Sequence, residues 1–177
     1  MHADSPLDPP SQRPFVTGAT RTRATSPRSG VVLVGSSGGH LAHLLALRPF
    51  WEQHDRFWVT FRTPDAISQL SGERVYWCHH PTNRNVRNLL RNSWLALRVL
   101  VRERPRLIVS SGAAVAVPFF WLGRMLGSRC VFIEVIDRID SPTLTGRLVR
   151  PVASEILLQW PEQANFYPTG HLVGPLL

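Results

Sequence analysis

The chain has 177 residues, a length that suits one compact domain and is short for two domains of ordinary size. Apolar residues make up 44% of it, so a buried core is available and disorder over the whole chain is excluded. The formal net charge is +8 and all 20 basic residues are arginine, whose guanidinium group favours bidentate contacts with phosphate.

The first 29 residues differ in composition from the rest of the chain. Five prolines are scattered there among Ser, Thr and Arg, with little apolar side chain to bury. This composition predicts a disordered tail over residues 1–29, followed by a single domain over residues 30–177. Neither a secretion signal nor an apolar run of the roughly 20 residues that a spanning helix needs is visible, so we expect a cytoplasmic protein, peripheral on the membrane.

From residue 30 onwards, short apolar runs alternate with stretches of helical periodicity. The runs predict strands at 31–34, 57–61, 74–78, 107–110, 131–135 and 156–158. Helices are predicted near 39–53, 64–70, 84–104, 113–126, 142–150 and 161–166. Continuous apolar strands that alternate with helices indicate a doubly wound, parallel α/β sheet of Rossmann-like type. Ligands of such sheets bind at the carboxyl ends of the strands.

The two cysteines, Cys78 and Cys130, lie in apolar runs and are expected as buried free thiols.

A glycine-rich turn joins the first predicted strand to the first helix. It consists of Gly35, Ser36, Ser37, Gly38 and Gly39, and His40 follows directly. Glycines allow close backbone approach, and a helix N-terminus offers free N–H groups to an anion, so the turn suits a diphosphate. The spacing is neither that of the dinucleotide-binding fingerprint nor that of a P-loop. A plain tight turn remains an alternative, as does a packing role for His40.

Two further strand ends carry candidate residues. Ser111, Gly112 and Ala113 follow the fourth run and would face the same crevice as the glycine-rich turn. The apolar helix after them is a core helix or a membrane-facing one. Glu134 is predicted on a central strand, where a carboxylate is either a general base or a structural ion-pair partner, for example of Arg138. Ser141 is the expected N-cap of the next helix.

The segment from Arg84 to Arg106 holds seven arginines and one acidic residue. At helical spacing, five of the arginines form a stripe beside a separate apolar face. A charged stripe is often only a solvated surface. The shortage of acidic residues favours an anionic contact instead, either lipid headgroups or a lipid diphosphate. Nucleic acid is disfavoured because no nucleic-acid-binding motif accompanies the stripe.

His79 and His80 could line the crevice, but no further ligands at metal-binding spacing accompany them.

Taken together, residues 31–177 resemble the acceptor-side half of GT-B glycosyltransferases, and more closely the bacterial PssD-type polysaccharide-biosynthesis subunit. That family is related to the membrane-docking subunit of the two-subunit dolichol-linked UDP-GlcNAc transferase. The matching stretches are 35–41, 109–118, 132–134, 138–146, 159–162 and 173–177.

The resemblance implies one half of a split inverting glycosyltransferase, with the donor-binding half on a partner chain. It implies transfer of GlcNAc, Glc or GlcA from a UDP-sugar to a lipid-linked oligosaccharide at an anionic membrane surface, with no metal and no cofactor. His40 or Glu134 would be the catalytic base, and the two small-residue loops with Arg138 would hold phosphate. The alternatives are a non-catalytic scaffold that docks a catalytic partner, and a nucleotide- or nucleic-acid-binding module.

Overall fold

A computed structural model describes residues 30–82 and 85–177 of the chain. The tail predicted over residues 1–29 lies outside these ranges. The described residues form a parallel seven-stranded sheet in the order β3-β2-β1-β4-β5-β6-β7. The doubly wound, Rossmann-like fold class is therefore confirmed.

The strands are β1 (Val31–Val34), β2 (Arg56–Phe61), β3 (Val75–Cys78), β4 (Leu107–Ser110), β5 (Arg129–Ile133), β6 (Glu155–Leu158) and β7 (His171–Leu172). The helices are α1 (Gly39–Ala46), α2 (Arg48–Trp51), α3 (Pro64–Gln69), α4 (Val86–Glu103), α5 (Ala116–Met125) and α6 (Leu144–Val149), and a 3₁₀ helix spans Pro161–Asn165.

Most predicted bounds lie within two or three residues of the observed ones, and three differences have a clear physical reason. The helix expected over 39–53 divides at Leu47, because Pro49 starts a new helix and has no N–H to continue the old one. Strand β5 ends at Ile133, so Glu134 follows the strand instead of lying on it. Strand β7 was not predicted, because its two residues are exposed and form no apolar run.

Helices cover both faces of the sheet. Helices α1 and α3 pack on one face over a core that includes Leu41, Leu44 and Trp58. Helices α4, α5 and α6 pack on the other face, where Phe119, Phe120 and other apolar side chains form the second core. Both faces of the central strands β1 and β4 are therefore buried, which explains why these strands are continuous apolar runs. Cys78 and Cys130 are buried free thiols, as expected.

Helix α4 turns two asparagines toward the sheet together with the apolar residues Ala96, Val99 and Leu100. Asn92 donates to the carbonyl of His79 and accepts from the amide of the same residue, both at 2.9 Å. Asn88 donates to the carbonyl of Pro81 at 2.9 Å. These bonds satisfy the backbone of the β3–α4 loop and fix the rotation of the helix. A stripe of large apolar residues on α4 is left exposed: Val86, Leu90, Trp94 and Val101.

Among residues 30–82 and 85–177, none of the helices is long and apolar enough to cross a lipid bilayer.

Candidate functional site

The site lies where the direction of strand addition reverses. Strand β1 pairs with β2 on one side and with β4 on the other, so the loops after β1 and β4 open into one crevice. The sequence predicted that these two loops share a crevice. A pair of hydrogen bonds between them confirms this.

His40 and Ser111 exchange these two bonds. The Ser111 hydroxyl donates to the carbonyl of His40, and Nδ1 of His40 lies 2.9 Å from the carbonyl of Ser111. A carbonyl oxygen can only accept, so Nδ1 must carry the proton in this contact. The neutral ring therefore presents an unprotonated Nε2, for which the described residues provide no hydrogen-bond partner. This is the tautomer that a general base requires.

Gly112 makes room for the His40 ring. A Cβ atom at this position would lie 2.6 Å from Cε1 of His40, and the φ angle of Gly112 is +129°. The next residue, Ala113, is also left-handed, with φ at 69°. A left-handed conformation is strained for a residue with a side chain, and such strain is found most often at functional sites. The turn delays the start of α5 to Ala116, three residues later than predicted.

Burial lowers the pKa of His40, and an unfavourable electrostatic interaction with nearby His43 adds a smaller effect in the same direction. The bond to the Ser111 carbonyl and the negative charge of Asp137 oppose this shift. The N-terminus of α1 also disfavours an imidazolium in its first turn, but desolvation is the principal cause.

Two open cavities flank His40, and its side chain lines both. The first, which we call the α1–β5 cavity, has a volume of about 510 Å³. It is lined by Gly39, His40, His43, Val135, Ile136, Asp137, Arg138, Thr143 and Leu177. The second, the loop cavity, measures about 430 Å³. It is lined by Ser36, Ser37, His40, Phe61, Thr63, His80, Pro81, Thr82, Ala113 and Ala114.

Five of the nine predicted phosphate-binding residues line one of the two cavities. Ser36, Ser37 and Ala113 line the loop cavity, while Gly39 and Arg138 line the α1–β5 cavity.

The other four predicted phosphate-binding residues line neither cavity. Their polar groups are already hydrogen-bonded or buried within the fold, so these residues determine the shape of the loops. The amide of Gly35 donates to Val59, and that of Gly112 donates to the Ser110 hydroxyl. Ser111 is fully buried against His40. Gly38, whose amide we expected to be free for phosphate, donates instead to Asp65 at 3.3 Å.

Glu134 is fully buried and does not line either cavity. One carboxylate oxygen accepts from the amide of Val135. The other accepts from the amide and hydroxyl of Thr143 and from the Tyr167 hydroxyl, which is 2.5 Å away. Burial and this bond raise the pKa of Tyr167. The ion pair with an arginine, one of the two alternatives for Glu134, is not present among the described residues; hydroxyl and amide donors take its place.

The loop that Glu134 holds ends at the N-cap of α6. The structure corrects the predicted cap, Ser141. Thr143 is the cap, and its hydroxyl oxygen accepts from the amide of Gly146. Gly146 has no side chain because a Cβ atom there would collide with the Tyr167 hydroxyl and lie 2.7 Å from Oε2 of Glu134. Thr143 therefore links the buried carboxylate to the wall of the α1–β5 cavity.

Sequence reasoning missed two titratable side chains that line the α1–β5 cavity. His43 lies three residues after His40 on α1, a spacing that places both on one helical face and could have indicated the pair. Asp137 directly precedes Arg138 in a loop, and its closeness to His40 depends on the fold. His80 lines the loop cavity as expected. No cluster of His, Cys, Asp and Glu among the residues that the structure describes could hold a metal ion.

Comparison with known proteins identifies the family. Residues 73–176 match the model of the family described as "Oligosaccharide biosynthesis protein Alg14 like". The chain belongs to the Alg14-like family. Among its curated relatives is the rat protein named UDP-N-acetylglucosamine transferase subunit ALG14. It is 24% identical over 190 residues, an alignment that covers 89% of this chain and 88% of the rat protein.

Solved structures support the fold of this Alg14-like chain. Acinetobacter baumannii MurG superimposes with a TM-score of 0.64 at 18% identity, covering 76% of this chain and 42% of that chain. The UDP-N-acetylglucosamine 2-epimerase of Rickettsia bellii gives a TM-score of 0.67 at 8% identity, covering 84% of this chain and 45% of that chain. The chain therefore has a Rossmann-like GT-B domain and spans less than half the length of these two structures.

Proposed function

We propose that this chain is the acceptor-binding subunit of an inverting glycosyltransferase whose donor-binding domain is a separate chain. The rat relative is named a transferase subunit, and the alignment covers most of its length. The larger solved structures match only in part. At a finer level, we propose a PssD-type subunit of polysaccharide synthesis that transfers GlcNAc, Glc or GlcA. UDP-N-acetylglucosamine is the first donor to test, because the relative is named for it.

The observation that carries the proposal is the contact between His40 and Ser111. It leaves Nε2 of His40 unprotonated at the junction of two cavities. In the proposed reaction, Nε2 removes the proton from an acceptor hydroxyl as the hydroxyl oxygen attacks the anomeric carbon of the UDP-sugar. The bond from that carbon to the diphosphate breaks, and UDP leaves with the electron pair. The negative charge of Asp137 favours the imidazolium that forms.

The same geometry separates the roles of the two candidate bases. Both carboxylate oxygens of Glu134 are bonded within the fold, and its side chain is fully buried. We therefore assign the base to His40 and treat Glu134 as a positioning residue that acts through Thr143. The acceptor diphosphate is assigned to the loop cavity, where Ser36, Ser37 and Ala113 are accessible.

An exposed surface of α4, α5 and α6, the apolar–arginine face, supports contact with an anionic membrane. Its apolar members are Val86, Leu90, Trp94, Val101, Trp121, Met125, Leu144 and Leu148, all exposed. On α4 the arginines Arg87, Arg91 and Arg98 form no ion pair among the described residues, since Glu103 pairs with Arg74 and Arg102. Exposed apolar residues beside unpaired arginines are typical of helices that lie in the headgroup region.

This face also favours a second candidate function, in which the chain only docks a catalytic partner at the membrane. The deciding experiment is to capture the tagged full chain from the membrane fraction of its host and to identify its partners. We expect a chain with a nucleotide-sugar-binding domain, and transfer from UDP-N-acetylglucosamine to a polyprenyl-diphosphate-linked sugar by the complex. A tagged chain that is recovered alone and does not support transfer would contradict the split transferase.

A further inference from the structure

One of the side chains that line the α1–β5 cavity has a buried polar atom without a partner. His43 is 5% exposed, and its Nε2 has no hydrogen-bond partner among the described residues. The side chain nevertheless lines the cavity, whose volume of about 510 Å³ is in the range of small-molecule sites. A buried polar atom without a partner is costly unless a ligand or water satisfies it.

The backbone of α1 determines what this nitrogen can bind. Nδ1 of His43 lies 2.9 Å from the carbonyl of Gly39, which only accepts, so Nδ1 carries the proton of the neutral ring. Nε2 is then a lone-pair acceptor that requires a donor from the ligand. His40 has the same tautomer for the same reason, through Ser111. The two histidines therefore present two acceptor nitrogens on one side of α1.

The remaining polar groups of the cavity narrow the choice of ligand. Asp137 supplies a carboxylate and Arg138 a guanidinium group. A diphosphate needs several donors, and beside the one guanidinium group it would meet one carboxylate and two nitrogen lone pairs here. A sugar ring suits the mixture, because each of its hydroxyl groups both donates and accepts. The α1–β5 cavity thus fits a saccharide better than the phosphate that the sequence analysis assigned to Arg138.

We infer that the α1–β5 cavity binds the acceptor sugar and that Nε2 of His43 accepts a hydrogen bond from one of its hydroxyl groups. The inference rests on the proposed function and adds to it the position of the saccharide. His43 would be a positioning residue: it holds the ring while Nε2 of His40 takes the proton of the reacting hydroxyl. The diphosphate would extend past His40 into the loop cavity.

The test uses the purified complex of the full chain with its donor-domain partner. The acceptors are farnesyl-diphosphate-linked GlcNAc and Glc, together with a series of each in which one hydroxyl at a time is replaced by hydrogen. The variants are His43→Ala and His43→Gln, whose amide oxygen can accept in place of Nε2. His54→Ala is the matched control, because Nδ1 of His54 contacts the carbonyl four residues earlier in the same way at an exposed position outside both cavities.

We expect one deoxy acceptor to have a KM about tenfold above that of its parent with the wild-type complex. With His43→Ala the KM of the parent acceptor should rise and that difference should vanish, because the partner of the missing hydroxyl is gone. His43→Gln should restore part of the difference, and His54→Ala should behave as wild type. A purely structural role for His43 would lower the melting temperature without this hydroxyl-specific coupling.

Two results would overturn the inference, and they are distinguishable. If the wild-type complex transfers sugar and every deoxy acceptor has the same relative KM with and without His43, the proposed function stands and the assignment of His43 is wrong. If the wild-type complex transfers no sugar, the proposed function fails and the inference fails with it. Should His43→Ala not fold, His43→Phe gives the comparison, because it keeps an aromatic ring but has no acceptor nitrogen.

Discussion

The His40 ring is held by Ser111 from the neighbouring strand end, with Nδ1 of His40 at 2.9 Å from the Ser111 carbonyl. The return bond, from the Ser111 hydroxyl to the carbonyl of His40, has the same length. Residues 71 positions apart thus fix each other across the crevice of the sheet. The tautomer, position and packing of His40 all follow from this pair, and the predictions below depend on it.

Replacing Gly112 by alanine should displace the His40 ring. The new Cβ atom would lie 2.6 Å from Cε1 of His40, and the left-handed φ angle adds strain of about 1–3 kcal/mol. We expect a drop in transfer rate of about tenfold or more, measured on the assembled complex. Gly127→Ala is the control, since Gly127 is also left-handed but has open space around it. It should reduce stability without reducing the rate of the folded protein.

The pKa of His40 should lie below 6.5, because burial disfavours the imidazolium. As a general base it would be active when neutral, so kcat/KM should be flat at neutral pH and fall on the acid side below 6.5. In the unfolded chain, the His40 ring binds a proton more readily than it does in the folded chain. Stability therefore falls as the pH drops from 6.5 through the lowered pKa.

Nuclear magnetic resonance titration of the His40 ring, with thermal unfolding of the wild type and His40→Gln across pH, tests both statements. A ring that titrates above 6.5 would contradict them.

Gly146→Ala should strongly destabilise the fold. Its Cβ atom would collide with the hydroxyl of Tyr167 and crowd Oε2 of Glu134. Overpacking of this kind costs about 1–3 kcal/mol, which chemical denaturation can measure. Tyr167→Phe alone should also destabilise, because it removes a donor from the buried Glu134 carboxylate.

The double variant of Gly146→Ala and Tyr167→Phe tests the mechanism. The effects should be less than additive, because loss of the hydroxyl makes room for the new methyl group. Strictly additive effects would show that the collision with Tyr167 is not the cause.

The apolar–arginine face should bind vesicles that contain anionic lipid. Trp94→Glu should weaken binding to phosphatidylglycerol vesicles, because Trp94 is 62% exposed on α4 and would lose its apolar contact. Replacing Arg91 by glutamine should weaken it by about 1 kcal/mol at low salt. Ile67→Glu is the control, since Ile67 is exposed on α3, across the sheet. Equal loss of binding in the control would contradict the assignment of the face.

The sequence predicted the strands well where burial imposes a continuous apolar run. Strands β1 and β4, buried on both faces, were predicted with the observed bounds. Strand β7 was missed because it joins the sheet at its edge with only two exposed residues. Glu134 was assigned to a strand because apolar residues surround it, although the chain already leaves β5 at Ile133.

Less of the candidate site was predictable, because it depends on contacts between distant segments. The two small-residue loops could be recognised from composition, and their shared crevice followed from the parallel topology. The sequence does not show which backbone amides are already hydrogen-bonded. Asp65, for example, accepts from the amide of Gly38 only in the folded chain. The inward turn of Asn88 and Asn92 was equally hidden, although a stripe of apolar residues on the opposite side of α4 is exposed.

The most direct test of the account is the transfer rate of the assembled complex with His40→Gln. Because the variant lacks the proposed base, we expect kcat to fall by about 10²- to 10⁴-fold, while the complex still assembles and binds vesicles. The rate of His54→Gln, the exposed control, should equal that of the wild type. An undiminished rate with His40→Gln would contradict catalysis by this chain and favour a scaffold that only docks its partner.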